Sequence, residues 1–196
     1  NSVQLASKGR AMKLTKENLP NNLTIARIFA IPLFILILAL GGHSHVWQVI
    51  AAILFAVASA TDWLDGYLAR KWNIVSNFGK FADPLADKML VMSAFIMLVP
   101  LKLAPAWVIA IIICRELAVT GLRLLLVEQG GVVMAAALPG KIKTFTQMLS
   151  IIFLLLGWNL LGVIFLYICL AATIYSGYDY FAQNMSVFKD ADQSQQ

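Results

Sequence analysis

Asp62-x-x-Asp65-Gly66-x-x-Ala69-Arg70 is followed, eight residues on, by Gly79-x-x-x-Asp83-x-x-x-Asp87, so four carboxylates stand in a fixed frame between two apolar runs. A carboxylate at the centre of a membrane-spanning helix costs roughly 2.5–3.5 kcal/mol on insertion scales, so a chain that keeps four of them must offset that cost. Bound metal is the simplest way. On a helix, positions three, four and seven apart share a face, so Asp62, Asp65, Gly66 and Ala69 form one stripe and Gly79, Asp83 and Asp87 another. Two such stripes face to face give an all-oxygen pocket whose glycine and alanine floor admits a ligand close to the backbone. With no Cys or His at hand, such ligands select Mg²⁺, Mn²⁺ or Ca²⁺ over zinc. Steps of three and four residues advance ~4.5 and ~6 Å along a helix. Carboxylates from two helices can therefore bracket metals ~3.5–4 Å apart, the spacing of two-metal phosphoryl chemistry. One or two of these aspartates would serve as helix caps or surface ion pairs; four in this register would not.

A second group is cationic. Arg115, Glu116 and Arg123 fall in one apolar run, seven and eight residues apart and so near one face. Arg115–Glu116 reads either as a self-neutralising ion pair or as part of a site. Arg123 has no acidic partner on its own run and, with Lys141 and Lys143 beyond the next loop, reads as one wall of an anion site. Gly130-Gly131 and Pro139-Gly140 mark that loop as turn-forming, and a helix starting at Gly140-Lys141-Ile142-Lys143-Thr144 would aim backbone N–H groups at a phosphate.

The elements that must carry these groups are apolar helices. Of 196 residues, 60% are hydrophobic and 13% charged, against about half and a quarter in a soluble domain. This predicts an all-α integral membrane protein. The apolar runs are Leu23–Leu40, Val46–Thr61, Met89–Leu103, Pro105–Val127, Phe145–Leu156 and Leu160–Tyr178. Some fall short of the ~20 residues that cross a bilayer and must extend into their flanks, the second to Arg70 and the third back to Pro84. Six transmembrane helices are expected, and run length without two-residue alternation excludes a barrel. The expected organisation is a polar basic segment over 1–19, a membrane domain over 20–182 and a polar tail over 183–196. Met12 is a candidate start, which would leave Asn1–Ala11 outside the native chain.

Lysine and arginine placement orients the helices. Lys8, Arg10, Lys13 and Lys16, then Arg70, Lys71 and Lys80, then Lys141 and Lys143, then Lys189 fall on one side, and only Lys102 on the other. Both termini and the aspartate frame are therefore expected in the cytoplasm, most simply at a bacterial cell membrane. The net charge of +5 fits a basic rim beside anionic lipids and not nucleic acid, since no basic domain lies outside the apolar runs. Cys114 and Cys169 read as buried small hydrophobes, and His43 and His45 as part of a solvated turn. Pro20 suits a first helical turn, with Asn22 or Thr24 as caps. Arg27, one turn inside an apolar run, needs an anionic partner or must snorkel to the interface. Gly157, Gly162, Ala171, Ala172, Ser176 and Gly177 suit close helix packing, and Trp47, Trp158, Tyr175, Tyr178 and Tyr180 suit interfacial belts.

The eight fixed positions from Asp62 to Asp87, with their spacing, resemble the signature of the CDP-alcohol phosphatidyltransferase family, without departure. The segments Pro20–Arg27, Ile113–Arg123 and Gly140–Thr144 are similar to its phosphatidylglycerophosphate-forming branch, and the likeness spans nearly all of 18–181. It implies transfer of a phosphatidyl group from CDP-diacylglycerol to sn-glycerol 3-phosphate with release of CMP, by a homodimer among membrane lipids. Asp62, Asp65, Asp83 and Asp87 would hold Mg²⁺ or Mn²⁺, with Asp83 and Asp87 catalytic and Asp87 the base on the acceptor hydroxyl. Asp62, Asp65, Gly66, Ala69, Arg70, Gly79 and Asp83 would receive the CDP moiety. Arg115, Arg123, Lys141 and Lys143 would bind the acceptor phosphate, and Asn22, Thr24 and Arg27 would border the site. Within the family, phosphatidylglycerol or an inositol phosphate is the alternative acceptor; outside it, a cation transporter is the alternative function, though the aspartates cluster at one face and not along a path. Transfer should stop in EDTA and return with Mg²⁺ or Mn²⁺, as measured by CMP release; full turnover in exhaustive chelator would remove the metal site from this reading.

Overall fold

A computed structural model of the chain describes the backbone of residues 19–72, 77–128 and 138–183, with side chains for 25–61, 85–123, 140 and 142–182. Six helices and no strands occur among the described residues: α1 Leu19–Gly41, α2 His45–Trp72, α3 Asn77–Leu98, α4 Ala106–Glu128, α5 Leu138–Leu155 and α6 Asn159–Gln183. Each apolar run became one helix. The ends differ because an apolar run stops where charge begins, whereas a helix continues as long as its backbone bonds do. Thus α3 opens at Asn77 and carries Pro84 inside it. Helix α1 opens at Leu19, with Pro20 in its first turn, where a missing N–H costs nothing. Asn22 and Thr24 consequently lie within the helix and not at its cap; their side chains are outside the described residues. Segments 1–18 and 184–196 and the Gly130-Gly131 turn are also outside them.

Local chemistry sets the reversals. After α1, the Gly42 amide donates to Leu38 O at 3.0 Å and the Gln48 side chain donates to Gly42 O at 2.7 Å, satisfying carbonyls that a helix end leaves bare. Pro105 offers its carbonyl to the amides of Val108 and Ile109 and so starts α4. Between α5 and α6, Trp158 N bonds Phe153 O at 2.9 Å and Gly157 N bonds Leu154 O at 3.2 Å. That pair of bonds is the Schellman arrangement, and it needs the left-handed φ of 80° that Gly157 adopts. A side chain at Gly42 would meet Leu101, and one at Gly157 would meet His45, so the three reversals gather at one end of the bundle.

The core draws on all six helices, with Val108 and Ile112 of α4 and Leu166 and Cys169 of α6 among its buried members. Phe34 and Leu38 of α1 meet Ala51, Ala52 and Phe55 of α2, Leu90, Ala94, Phe95 and Leu98 of α3, and Ile151, Leu154 and Leu155 of α5, all buried. The Phe34 and Phe55 rings are 6.1 Å apart and tilted by 50°. Helix α5 packs most extensively on α6, and α4 packs on α6 and α3. The outer surface is apolar too: Phe29, Leu33, Leu36 and Leu40 of α1 and Leu160, Ile164, Ile168, Tyr175 and Tyr178 of α6 are exposed. Asn159–Ala182 is long and apolar enough to cross a membrane, while Ile25–Gly41, His45–Thr61 and Ile142–Leu155 are shorter apolar stretches. Cys169 is buried as expected; Cys114 is exposed instead, because it falls on the outward side of α4, between the buried positions Ile112 and Glu116.

The α5–α6 contact depends on Gly162. Ser150 donates to the Gly162 carbonyl at 2.9 Å, and a Cβ there would come within 2.6 Å of Leu154 Cδ2 and 3.0 Å of its backbone nitrogen. Gly162→Ala should therefore cost about 1–3 kcal/mol through overpacking, read as a lower thermal midpoint of the detergent-purified protein; an unchanged midpoint would mean that the two helices are not held this closely.

Candidate functional site

The aspartate frame continues the packing stripes. On α2 the buried positions Ala51, Phe55 and Ala58 step by four and three residues, and the same steps lead to Asp62, Asp65 and Ala69. On α3 the buried positions Leu98, Ala94 and Leu90 lead back by the same steps to Asp87, Asp83 and Gly79. The helical backbone is continuous through both stretches, so the frame keeps the three- and four-residue spacing of each helix's buried stripe. The side chains of Asp62, Asp65, Ala69, Arg70 and Asp83, and the surroundings of Gly66 and Gly79, lie outside the described residues. Asp87 is the member whose side chain is described.

Asp87 lines a small cavity, about 80 Å³, together with Lys88, Val91, Met92 and Phe95 of α3, Ile112 and Glu116 of α4, and Lys143, Thr144 and Gln147 of α5. Its polar part is organised around Glu116, which is 7% exposed. The Lys143 ammonium, equally buried, ion-pairs with Glu116 Oε1. Arg115 Nη1 donates to the same oxygen at 3.1 Å, and its Nη2 donates to Ser176 Oγ of α6 at 2.7 Å. Lys88 Nζ stands 4.0 Å from Glu116 Oε2 and donates to Thr120 Oγ1, which itself donates to the Glu116 carbonyl at 2.6 Å. Three cations from three helices thus converge on one carboxylate. A buried charge demands such partners.

Of the cations singled out in the sequence, Arg115 and Lys143 meet here, and the Arg115–Glu116 pair is only part of a larger network. Arg123 is placed farther along α4, its guanidinium 5.3 Å over the Tyr180 ring of α6, within reach of a cation–π attraction. Its Nε is buried without a hydrogen-bond partner among the described residues. The Lys141 side chain is outside them. Because α5 begins at Leu138, Gly140 and Lys141 belong to its first turn and Lys143 and Thr144 to its second; Thr144 Oγ1 bonds back to Gly140 O at 3.1 Å. Arg27 is 2% exposed and donates through Nε to Ala58 O at 3.3 Å. It is therefore held against α2, one turn before Asp62, and does not snorkel to the surface. The sequence reading missed Lys88 and Gln147. A cue to Lys88 was there: Glu116, inside an apolar run, called for more than one neighbouring cation, and Lys88 flanks the frame.

The family model of CDP-alcohol phosphatidyltransferases matches residues 17–175 of the chain. A protein of Bacillus subtilis strain 168 named CDP-diacylglycerol–glycerol-3-phosphate 3-phosphatidyltransferase is 47% identical over 192 residues, covering 89% of this chain and 99% of its own. A protein of the same name from Rickettsia bellii is 44% identical over 175 residues, covering 84% and 94%. A probable phosphatidylglycerophosphate synthase of Mycobacterium tuberculosis is 40% identical over 171 residues, covering 85% and 81%.

The Glu116–Lys143 contact joins residues 27 apart in sequence. A double-mutant cycle of Glu116→Gln and Lys143→Met, read by thermal or denaturant unfolding in detergent, should give a coupling of about 0.5–3 kcal/mol. Additive effects would show that the two side chains do not meet.

Proposed function

The chain belongs to the CDP-alcohol phosphatidyltransferase family, and from that premise we propose that it transfers the phosphatidyl group of CDP-diacylglycerol to sn-glycerol 3-phosphate, giving phosphatidylglycerophosphate and CMP. The observation that carries this reading is the cavity in which a carboxylate of the frame, Asp87, shares walls with Lys88 and Lys143: a proton acceptor stands next to cations suited to a phosphate-bearing alcohol. Choline, itself a cation, would have no use for those cations. The names of the similar proteins point to the same acceptor.

In this reaction the acceptor hydroxyl oxygen attacks the phosphatidyl phosphorus, the bond from that phosphorus to the CMP oxygen breaks, and the hydroxyl proton passes to Asp87. Lys88, Arg115, Arg123, Lys141 and Lys143 bind and orient the acceptor phosphate, which fixes the attacking hydroxyl near Asp87. Gly66, Ala69 and Gly79 leave room for the cytidine, Arg70 stands at its edge, and Asn22, Thr24 and Arg27 border the site from α1. The donor chemistry of Asp62, Asp65, Asp83 and Asp87, all carboxylate and spaced three or four residues apart on their helices, fits Mg²⁺ or Mn²⁺, and we assign these four as its ligands. Bound there, the metal supplies positive charge to the pyrophosphate and the departing CMP. The diacylglycerol tails stay in lipid. Accordingly we assign the six helices as membrane spans, the frame and both termini to the cytoplasmic side of a bacterial membrane, and the working unit as a homodimer; the exposed apolar faces of α1 and α6 support a lipid surrounding.

CMP release by detergent-purified protein, given CDP-diacylglycerol and a panel of alcohols, tests the reaction. Glycerol 3-phosphate should be the preferred acceptor, and preference for an uncharged alcohol would refute it. The roles of the aspartates separate in single-turnover assays. Asp87→Asn keeps shape and one ligating oxygen but cannot take a proton, so transfer should fall by roughly 10²–10⁴ while CDP and Mg²⁺ still bind in calorimetric titration. Asp62→Asn and Asp65→Asn should weaken binding along with rate. If Asp87→Asn loses nucleotide as fully as Asp62→Asn, Asp87 is a ligand and not the base.

A further inference from the structure

Glu116 has no part in the reaction as proposed, yet it is the centre of the polar interior. Its carboxylate is buried and receives Lys143 and Arg115 directly, with Lys88 at 4.0 Å. Three positive charges therefore face one negative charge. Lys88 and Lys143 line the cavity that Asp87 also lines, whereas Arg115 reaches Glu116 from along α4 and is tied to α6 through Ser176. Without a central anion, three cations from α3, α4 and α5 in a half-buried space would repel one another and turn outward. With it they converge and still outnumber the negative charge of Glu116, so the cluster keeps a positive charge for an anionic acceptor.

We propose that Glu116 is a positioning residue for the acceptor: its negative charge holds the Lys88, Arg115 and Lys143 side chains converged before the acceptor phosphate arrives. This rests on the proposed reaction and adds a requirement to it, that the charge of a residue touching neither substrate sets acceptor affinity. Thr120 and Ser176 are its auxiliaries, since each holds one of the cations by a hydrogen bond.

The test is a kinetic comparison of the parent protein with Glu116→Gln and Glu116→Asp, each purified in detergent and assayed for CMP release with both substrates varied. Glu116→Gln, isosteric and neutral, should raise the KM for glycerol 3-phosphate tenfold or more while the KM for CDP-diacylglycerol and kcat at saturating acceptor change less than threefold. Glu116→Asp, which keeps the charge, should hold the acceptor KM within about threefold of the parent. An unchanged or lowered acceptor KM in Glu116→Gln, equal rises in both KM values, or equal damage by Asp and Gln would each overturn the proposal. Should Glu116→Gln fail to fold, Thr120→Val and Ser176→Ala take its place: each should raise the acceptor KM two- to fivefold, and no change in either overturns the role. The parent assay keeps the two levels apart. No CMP release from the parent with glycerol 3-phosphate refutes the reaction itself, whereas normal parent turnover with an unaffected Glu116→Gln refutes only the role of Glu116.

Discussion

A carboxylate buried on α4 must be matched by cations, and the cations come from wherever the other helices can bring them. Lys143 arrives from α5 and Lys88 from α3, and Arg115 extends the network to Ser176 of α6. Four of the six helices are thereby tied at one level of the bundle. A buried ion pair is a poor source of net stability, because desolvation offsets most of the Coulombic gain. What it does supply is selectivity among arrangements. Apolar helices slide past one another at little cost, and a one-turn slip of ~5.4 Å that left Phe55 or Leu154 among apolar neighbours would strand Glu116 without Lys143. The hydrophobic contacts hold the helices together, and the ionic cluster selects their relative height.

The aspartate frame obeys the same economy of design, since no separate element was added to carry it. The positions that bury Ala51, Phe55 and Ala58 on α2 are followed, and those that bury Leu90, Ala94 and Leu98 on α3 are preceded, at three- and four-residue spacing by aspartate, glycine and alanine. Packing of the apolar halves thus determines how the polar halves of the same helices approach. Residues on rigid helices are positioned more closely than residues on loops, and phosphoryl transfer, which relies chiefly on placement and charge, benefits accordingly. Arg27 supports the junction from α1: buried, it donates to the Ala58 carbonyl, which also accepts from Thr61 Oγ1 at 2.7 Å.

Much of this could be read from the chain alone, for reasons that also explain the rest. Six apolar runs gave six helices because each is long, continuous and bounded by Gly, Pro or charge. The frame could be read because its partners are fixed by spacing along one helix at a time. What spacing along a helix does not report is which helix lies opposite. The pairing of Lys143 with Glu116 spans 27 residues and a loop, and the stacking of Arg123 on Tyr180 joins α4 to α6. Neither has a local signature. Asn22 and Thr24 illustrate a different failure: both are good caps by residue type, but Pro20 allowed α1 to begin earlier, and backbone continuity overrode local preference.

Helix α3 is where the two halves of the proposed chemistry meet. Consecutive residues on a helix diverge by ~100°, at 3.6 residues per turn, so neighbours in sequence serve different walls. Asp87 belongs to the register of the aspartate frame, and Lys88, next to it, reaches Thr120 and Glu116 on α4. One backbone step therefore separates the residue proposed to take the acceptor's proton from a residue proposed to hold its phosphate. In glycerol 3-phosphate the hydroxyl that attacks and the phosphate that is held belong to one small molecule, so their separation is fixed by its carbon skeleton. A site that accepts it must fix the corresponding separation in the protein, and here the Lys88 ammonium is held in place by Thr120 and Glu116 of α4. In the proposed reaction α3 thus carries both the residue that takes the proton and one that holds the phosphate, while Arg115 of α4 and Lys143 of α5 add positive charge beside them.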